Sequence, residues 1–407
     1  MSESHEDSRL DRIDIHRYPA KMLARIVREI LHDYVKKDDI VLDQFCGSGT
    51  VMVKCKARGI RSVGSDINRL PVLLSTVKIA GYDFTLLESE AKVLIERIKK
   101  RKRVGQIPRF RDVDFWFNPG VQRDLSRILA EIDKVSDSTA RNFFKVCLSS
   151  IIRTVSNADP HIPPPVHSKK MREIKYRRPN AKEAFANRVW RNFKILKKLP
   201  PAGREIPLTG ALIADARCLP FPDSSFGAII TSPPYIDAQK YVRTMKLETF
   251  WLRLLSSDQV DILARRIIGS DQVGLKDLTP IDGGLADSQI RRISRADPSG
   301  WRARVVHEFL TQMQLAFGEA KRVLKQGGVF ALVVGNNSVA GSRVPIHKIL
   351  SEFAVSQGMM LLEKRRDSIK YRSFMLKRHH TGGMIKSEWI LVFRNGVKDD
   401  RIFPSGR

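Results

Sequence analysis

The residues best suited to chemistry in this chain of 407 are Thr231-Ser232-Pro233-Pro234-Tyr235, which end the apolar run Phe226-Gly227-Ala228-Ile229-Ile230. Each proline lacks an N–H and has its φ fixed, and a residue that precedes proline is held extended. A strand ending in this sequence therefore delivers a stiff loop rich in carbonyl acceptors. The Ser232 hydroxyl can accept from an amino N–H, and Tyr235 offers a flat face for stacking. Together they suit a planar ring that carries an exocyclic amine, such as a nucleobase extruded from its stack. A lone loop of this kind is ordinarily only a rigid turn after a buried strand, so its meaning depends on what else the chain carries.

A second motif lies upstream: Ile40-Val41-Leu42-Asp43-Gln44-Phe45-Cys46-Gly47-Ser48-Gly49-Thr50. A short apolar run feeds a Gly-x-Gly turn that opens a helical stretch, Thr50–Arg58, and glycine there lets backbone pass close to a ligand at a helix start. Ile60–Ile67 then reads as a second strand ending in an acid, Asp66, which lies 23 positions after Asp43. That is near the spacing of about 20 residues at which a nucleotide fold presents a ribose-binding carboxylate. The third glycine of the dinucleotide fingerprint is missing, which argues against a nicotinamide cofactor.

The combination of Asp-x-Phe-x-Gly-x-Gly-Thr, a later acid and Ser-Pro-Pro-Tyr resembles the amino-methyltransferases of DNA, S-adenosylmethionine enzymes that methylate cytosine N4 or adenine N6. The Ser form of the loop is more typical of the N4-cytosine members. The resemblance implies that Ser232, Pro233, Pro234 and Tyr235 are catalytic. It implies that Asp43, Phe45, Gly47, Gly49, Thr50 and Asp66 surround the cofactor, with Asp66 on its ribose. His16-Arg17-Tyr18-Pro19-Ala20-Lys21-Met22-Leu23 looks like the segment such enzymes place beside the methionine end, which makes Lys21 a candidate. Asp215, at the end of the apolar run Ala211–Ala214, would by resemblance meet the cofactor's adenine amine; as a local feature it reads equally as a helix N-cap.

The elements that must position these residues follow an alternating pattern. After the two strands already noted come the strand Ala211–Ala216, the catalytic strand, and a helix over Tyr241–Leu254. Val306–Leu324 has helical periodicity, Gly327-Gly328 reads as a turn, and Val329–Val334 is a continuous apolar run typical of a buried parallel strand. A helix over Val344–Gln357 and a final strand pair, Met359–Leu362 and Trp389–Phe393, complete a doubly wound α/β sheet, mostly parallel and Rossmann-like. Segment 13–84 would be the cofactor half, 206–255 the catalytic half and 303–407 the rest of the sheet. Two insertions, 85–205 and 256–302, interrupt them. Gly335-Asn336-Asn337 lies past a strand end, where such sheets bind ligands, though a turn is the simpler reading.

Charge sharpens the role of the insertions. The chain carries 72 Lys plus Arg against 44 Asp plus Glu, a net charge of +28, which favours a polyanionic partner through steering and counterion release. Residues 85–205 hold 28 Lys plus Arg against 13 Asp plus Glu. Lys99, Lys100, Arg101, Lys102 and Arg103 form a cationic run, and Lys169, Lys170, Arg172, Arg177 and Arg178 follow a Pro-rich stretch that reads as an exposed loop. These are candidate phosphate contacts, and 85–205 is the candidate target-recognition region; a solvated charged face is the plainer reading of any single cluster. Only 15 residues separate Asp215 from Thr231, so recognition is not inserted there, as it is in many of these enzymes. Segment 256–302, with Arg265, Arg266, Arg291, Arg292 and Arg295, could share recognition or act as a lid.

Composition closes off other classes. No run approaches a membrane span, and the charged N-terminus lacks a signal's apolar core, so an intracellular, nucleoid-associated enzyme is expected. Cys46, Cys55, Cys147 and Cys218 have no metal-binding spacing, and no metal is expected. No Pro-Cys pair exists to supply the nucleophile of cytosine C5 methylation. The resemblance therefore implies a site-specific methyltransferase acting on cytosine N4 in double-stranded DNA, with a restriction endonuclease as an expected functional partner. Adenine N6 of DNA, an exocyclic amine of RNA, and a non-catalytic DNA-binding protein on the same scaffold are the alternatives.

Overall fold

A computed structural model describes residues 14–19, 21–160, 162, 164–167, 178–199, 209–236, 241–274, 278–281, 284–368 and 387–396. The elements are, in order, α1 (Ala24–Tyr34), β1 (Ile40–Asp43), α2 (Thr50–Ala57), β2 (Arg61–Asp66) and α3 (Arg69–Ile79). The first insertion contributes α4 (Phe84–Lys100), α5 (Val113–Trp116), α6 (Pro119–Ile132), α7 (Ser138–Val155) and α8 (Ala181–Leu196). Then follow β3 (Thr209–Ile213), β4 (Phe226–Thr231), α9 (Tyr241–Thr244), α10 (Lys246–Trp251), α11 (Ser257–Arg266), α12 (Gly284–Ala296) and α13 (Trp301–Val323). The chain closes with β5 (Leu324–Gly335), the hairpin β6 (Asn337–Val339) and β7 (Ser342–Val344), α14 (Ile346–Ser356), β8 (Met359–Ser368) and β9 (Ser387–Asn395).

The main sheet runs β3-β2-β1-β4-β5-β9-β8. Every pairing from β3 to β5 is parallel, and β9 lies antiparallel between β5 and β8. Continuous apolar runs make this possible: all six residues of β4 are buried, as strands covered on both faces require. On one face α1 turns Ile26, Val27, Ile30 and Leu31 onto Val41, Ala228, Ile230 and Val333. On the other, α13 packs Phe309, Leu310, Met313 and Phe317 against Leu42, Ile229 and Phe330. This is the expected doubly wound α/β architecture. Strand order reverses between β1 and β4, and the ends of those strands carry the Gly-x-Gly turn and the Ser-Pro-Pro-Tyr loop, at the switch point where such sheets bind ligands.

Some boundaries differ from the sequence reading. Gly327 and Gly328 lie within β5: Gly327 takes φ +72°, which favours glycine, and a Cβ on Gly328 would sit 2.9 Å from the Gly227 carbonyl, so the first serves backbone conformation and the second strand approach. The helix expected over Tyr241–Leu254 breaks at Met245 (φ −109°, ψ 16°), whose side chain enters the core. The larger difference is in the basic insertion. Its charge predicts exposed surface, yet α4 buries Leu87, Ala91, Leu94, Ile95 and Ile98, a helical stripe, and α7 buries Phe143, Phe144, Val146, Cys147, Ile151 and Ile152. These join α3 (Leu70, Leu74) and α10 (Leu247, Trp251) in one core. Ala158, Asp159 and Pro165 are also buried, so the start of the Pro-rich stretch is anchored and not a free loop. Trp116 and Phe117 belong to that core as well, while Phe115 is exposed. Among the described residues no helix is long and apolar enough to cross a membrane.

Candidate active site

Register sets the site: Val41 and Leu42 pair with Ala228 and Ile229, so Asp43 and Thr231 leave the sheet side by side. Thr231 Oγ1 donates to Asp43 Oδ1 at 2.7 Å, and the Phe45 N–H donates to the same oxygen at 3.2 Å. Burial pushes the Asp43 carboxyl up to about 7, the Thr231 and Phe45 bonds pulling against it and the nearby Asp66 charge adding to it. One carboxylate thus joins the glycine turn to the catalytic loop.

A cleft opens above this junction, lined by Tyr18, Gln44, Phe45, Gly47, Asp66, Ile67, Asp215, Ser232, Pro234, Tyr241 and Arg266, among others. Asp66 accepts from the Gly47 N–H at 3.2 Å and the Asn68 N–H at 2.9 Å. Burial raises its carboxyl to about 6, against the pull of those two N–H groups. A carboxylate has about four acceptor positions, so capacity remains on the cleft side for two vicinal hydroxyls. Gly47 adopts φ +48°, and a Cβ there would meet the Tyr18 ring at 3.4 Å; backbone approaches the cleft where a side chain would narrow it.

Four of the expected cofactor residues do not line the cleft. Asp43 is spent on Thr231 and Phe45. Lys21 turns its Nζ to Asp14 at 2.7 Å and to the His16 carbonyl at 3.3 Å; Tyr18, three residues earlier, is the cleft residue of that segment. Gly49 takes φ +79°, and a Cβ there would lie 2.7 Å from Ser75 Oγ, so its close approach is to α3 and not to a ligand. Thr50 begins α2 behind that contact. Cys46, inside the turn, is buried, and its Cβ and Sγ leave no room for a Cβ on Gly64.

Asp215 lines the cleft but does not cap a helix. It opens a turn, accepting from Arg217 Nε at 2.8 Å, Nη2 at 2.7 Å and the backbone N–H at 3.1 Å, with Arg266 at 3.7 Å. Burial alone would raise its pKa; the Arg217 bonds and the two guanidinium charges outweigh it and hold the group below its usual value. Arg266, Ile267 and Ile268 all line the cleft, which makes the second insertion one of its walls. Gln44, absent from the sequence candidates, is buried and faces the cleft; its Oε1 has no hydrogen-bond partner among the described residues, a group that a ligand donor would satisfy.

The Ser-Pro-Pro-Tyr loop is pinned along its length. Ser232 Oγ donates to the Val333 carbonyl at 2.9 Å, which spends its only hydrogen and leaves the oxygen an acceptor. Asn337 donates to the Ile236 carbonyl, and Gly269, with φ +83°, fits under the Tyr235 carbonyl, where a Cβ would come within 2.9 Å. Asn337 is therefore a brace for the loop. The apolar walls Phe45, Ile67, Ile267 and Ile268, the hydroxyl-accepting Asp66 and the open Gln44 Oε1 fit the adenine, ribose and charged tail of S-adenosylmethionine.

Comparison with known proteins agrees with this chemistry. A family model described as DNA methylase matches residues 2–73. The Type II methyltransferase M.MvaI of Kocuria varians is 27% identical over 363 residues, 83% of this chain and 79% of that protein. M.BsoBI of Geobacillus stearothermophilus is 22% identical over 84% of this chain and 77% of its own length. M.MjaII of Methanocaldococcus jannaschii is 36% identical over 92 residues, 23% of this chain and 17% of that protein. A family match over the cofactor turn, relatives aligned along most of both chains, and a pinned Ser-Pro-Pro-Tyr loop beside the cleft all support one reading: a DNA amino-methyltransferase of the N4/N6 kind, with S-adenosylmethionine as methyl donor.

Proposed function

We propose that this protein methylates the exocyclic N4 of cytosine in duplex DNA at a specific sequence, as the modification partner of a restriction endonuclease. The observation that carries the cytosine reading is Ser232 itself: the loop opens with serine, and its oxygen is left as an acceptor by the bond to Val333. The Type II methyltransferases to which the chain is similar favour the restriction–modification role.

An exocyclic amine is a poor nucleophile, because its lone pair is delocalised into the ring. Acceptors at Ser232 Oγ and the Pro233 carbonyl draw its hydrogens out of plane and stabilise the positive charge that grows on nitrogen, an effect realised mainly in the transition state. The bound cofactor supplies an electrophilic methyl carbon. Asp66 and Phe45 hold the nucleoside part, and Tyr235 gives the extruded base a surface on which to stack. The Thr231–Asp43 bond keeps the two halves in register. No strong base is needed before attack. Incubating the protein with tritiated S-adenosylmethionine and mixed-sequence duplex DNA, followed by nucleoside mass analysis, tests this. Label in N4-methylcytosine is expected; label in N6-methyladenine would replace the base, and label confined to RNA would replace the polymer.

The basic insertion 85–205 is proposed as the main DNA-reading region, with one revision to its contacts. Arg101 points inward to Glu131 at 2.6 Å, where Lys134 also binds at 2.8 Å. Lys99, Lys100, Lys102 and Arg103 stay exposed, Lys99 pairing with Glu96 on its own helix. Arg178 donates to the Ser156 carbonyl, which assigns it to anchoring; Lys169, Lys170, Arg172 and Arg177 lie outside the described residues. Replacing Lys99, Lys100, Lys102 and Arg103 together by Ala should weaken DNA binding and flatten its salt dependence by roughly 0.9 per lost phosphate contact. Arg101→Ala should instead cost about 1.5 kcal/mol of stability by removing one charged hydrogen bond from the buried Glu131, which keeps Lys134 and Arg97, with the salt slope kept. Filter binding at several salt concentrations and thermal melting separate the two.

A further inference from the structure

The Tyr235 ring is held at its far end as well. Its hydroxyl donates to Glu388 Oε1 at 2.9 Å. Glu388 stands near the start of β9, in register with Gly335 of β5 and Asp367 of β8. Its other oxygen, Oε2, is closed off from solvent and has no hydrogen-bond partner among the described residues. Burial raises the Glu388 carboxyl above its usual range, the Tyr235 bond opposing and Asp367 adding to the shift.

The neighbouring acid is a useful control. Asp367 is matched on both oxygens by Arg25, at 2.7 and 2.8 Å, as a carboxylate that serves the fold should be. Among the described residues Glu388 has no such cation and is desolvated for one hydroxyl, so the described contacts do not make it a stabilising acid. What it does is fix a ring. Ser232 also lies within hydrogen-bonding reach of the Tyr235 side chain, but a neutral hydroxyl whose hydrogen goes to Val333 leaves the ring some freedom to turn about its side-chain torsions. A charge-assisted O–H···O bond at the tip removes that freedom.

Resting on the reading that Tyr235 stacks on the target base, we propose that Glu388 is a positioning residue for methyl transfer: through the Tyr235 hydroxyl it holds the ring in the plane on which the extruded base is received. The amine then meets Ser232 and Pro233 in line with the methyl group on every encounter, which is where positioning gains rate.

The test compares Glu388→Ala, Glu388→Gln, Tyr235→Phe, the double variant Glu388→Ala/Tyr235→Phe and Tyr235→Ala in single-turnover methylation at saturating cofactor and DNA. Glu388→Ala and Tyr235→Phe should each slow transfer roughly tenfold to hundredfold, with cofactor affinity kept. The double variant should be no slower than either single one, and Glu388→Gln, which keeps an acceptor, should recover most of the rate. A Tyr235→Phe variant at the wild-type rate overturns the proposal even if Glu388→Ala fails to fold, as do losses that multiply in the double variant. Tyr235→Ala transferring at the wild-type rate would instead sink the stacking role on which the proposal rests.

Discussion

Ser232→Ala is expected to slow methyl transfer roughly 100-fold at saturating cofactor, the usual loss when one preorganised transition-state partner is removed. The cofactor's dissociation constant should stay near that of the wild type. The reason is the direction of the hydrogen bonds. Ser232 gives its hydrogen to Val333, so the oxygen meets the substrate only as an acceptor, and its value grows as the amine becomes positive. The backbone path of the loop survives the change, since Pro233 and Pro234 set it and Thr231, Ile236 and Gly269 brace it. Single-turnover rates with a cofactor titration decide the matter. A variant that keeps its saturated rate and loses cofactor affinity would move Ser232 from the catalytic loop's chemistry to the cofactor wall.

Asp66→Ala should produce the opposite split. The carboxylate holds the Gly47 and Asn68 N–H groups, and in the proposed function it is also the acceptor for ribose hydroxyls. Losing charged hydrogen bonds of this kind weakens binding roughly 10- to 100-fold, and excess cofactor should restore most of the turnover. Acidity adds a second signature. With its folded-state pKa raised to about 6, Asp66 contributes stability to the cofactor-free fold below the ordinary carboxylate pKa of about 4, and that contribution is lost as pH rises through 6. Hydroxyl donors favour the ionised form, so cofactor affinity should run the other way and fall as pH drops through about 6, with proton release on binding above the ordinary value. Calorimetric titrations in buffers of different ionisation enthalpy measure this directly. Affinity that is flat between pH 5 and 7, or an Asp66→Ala variant that binds like the wild type, would remove Asp66 from the ribose.

The two motifs were legible because their chemistry depends on local sequence. Proline fixes a loop, glycine permits φ +48° at residue 47, and apolar runs mark buried strands, so the doubly wound, mostly parallel class followed from motif and alternation. Residues brought in from a distance were not legible. Glu388 reaches Tyr235 across 153 positions, and nothing near it in sequence distinguishes an acid at the head of a strand from a solvated one. Gln44 and Tyr18 sit inside motif segments, but local spacing does not say which side chain faces a cleft; Lys21 and Gly49 were selected by type, while side-chain direction and the packing of α3 decided otherwise. Charge misled in the same way at Arg101, where a run of cations hides one that faces inward to an acid 30 residues away.

The shared core beneath the basic helices has a consequence for how such a protein can change. Helices α4 to α8 bury their stripes against α3 and against α10, which lies shortly after the Ser-Pro-Pro-Tyr loop in sequence. They are not a cassette that can be lifted out: removing or exchanging them would uncover Leu70, Leu74, Leu247 and Trp251 at once. With these helices as the DNA-reading region, as proposed, a lineage acquiring a new target can vary their outer, charged positions freely. It can alter their inner faces only together with the segment that holds the reacting base, so sequence preference and catalytic competence are inherited as one cooperative folding unit.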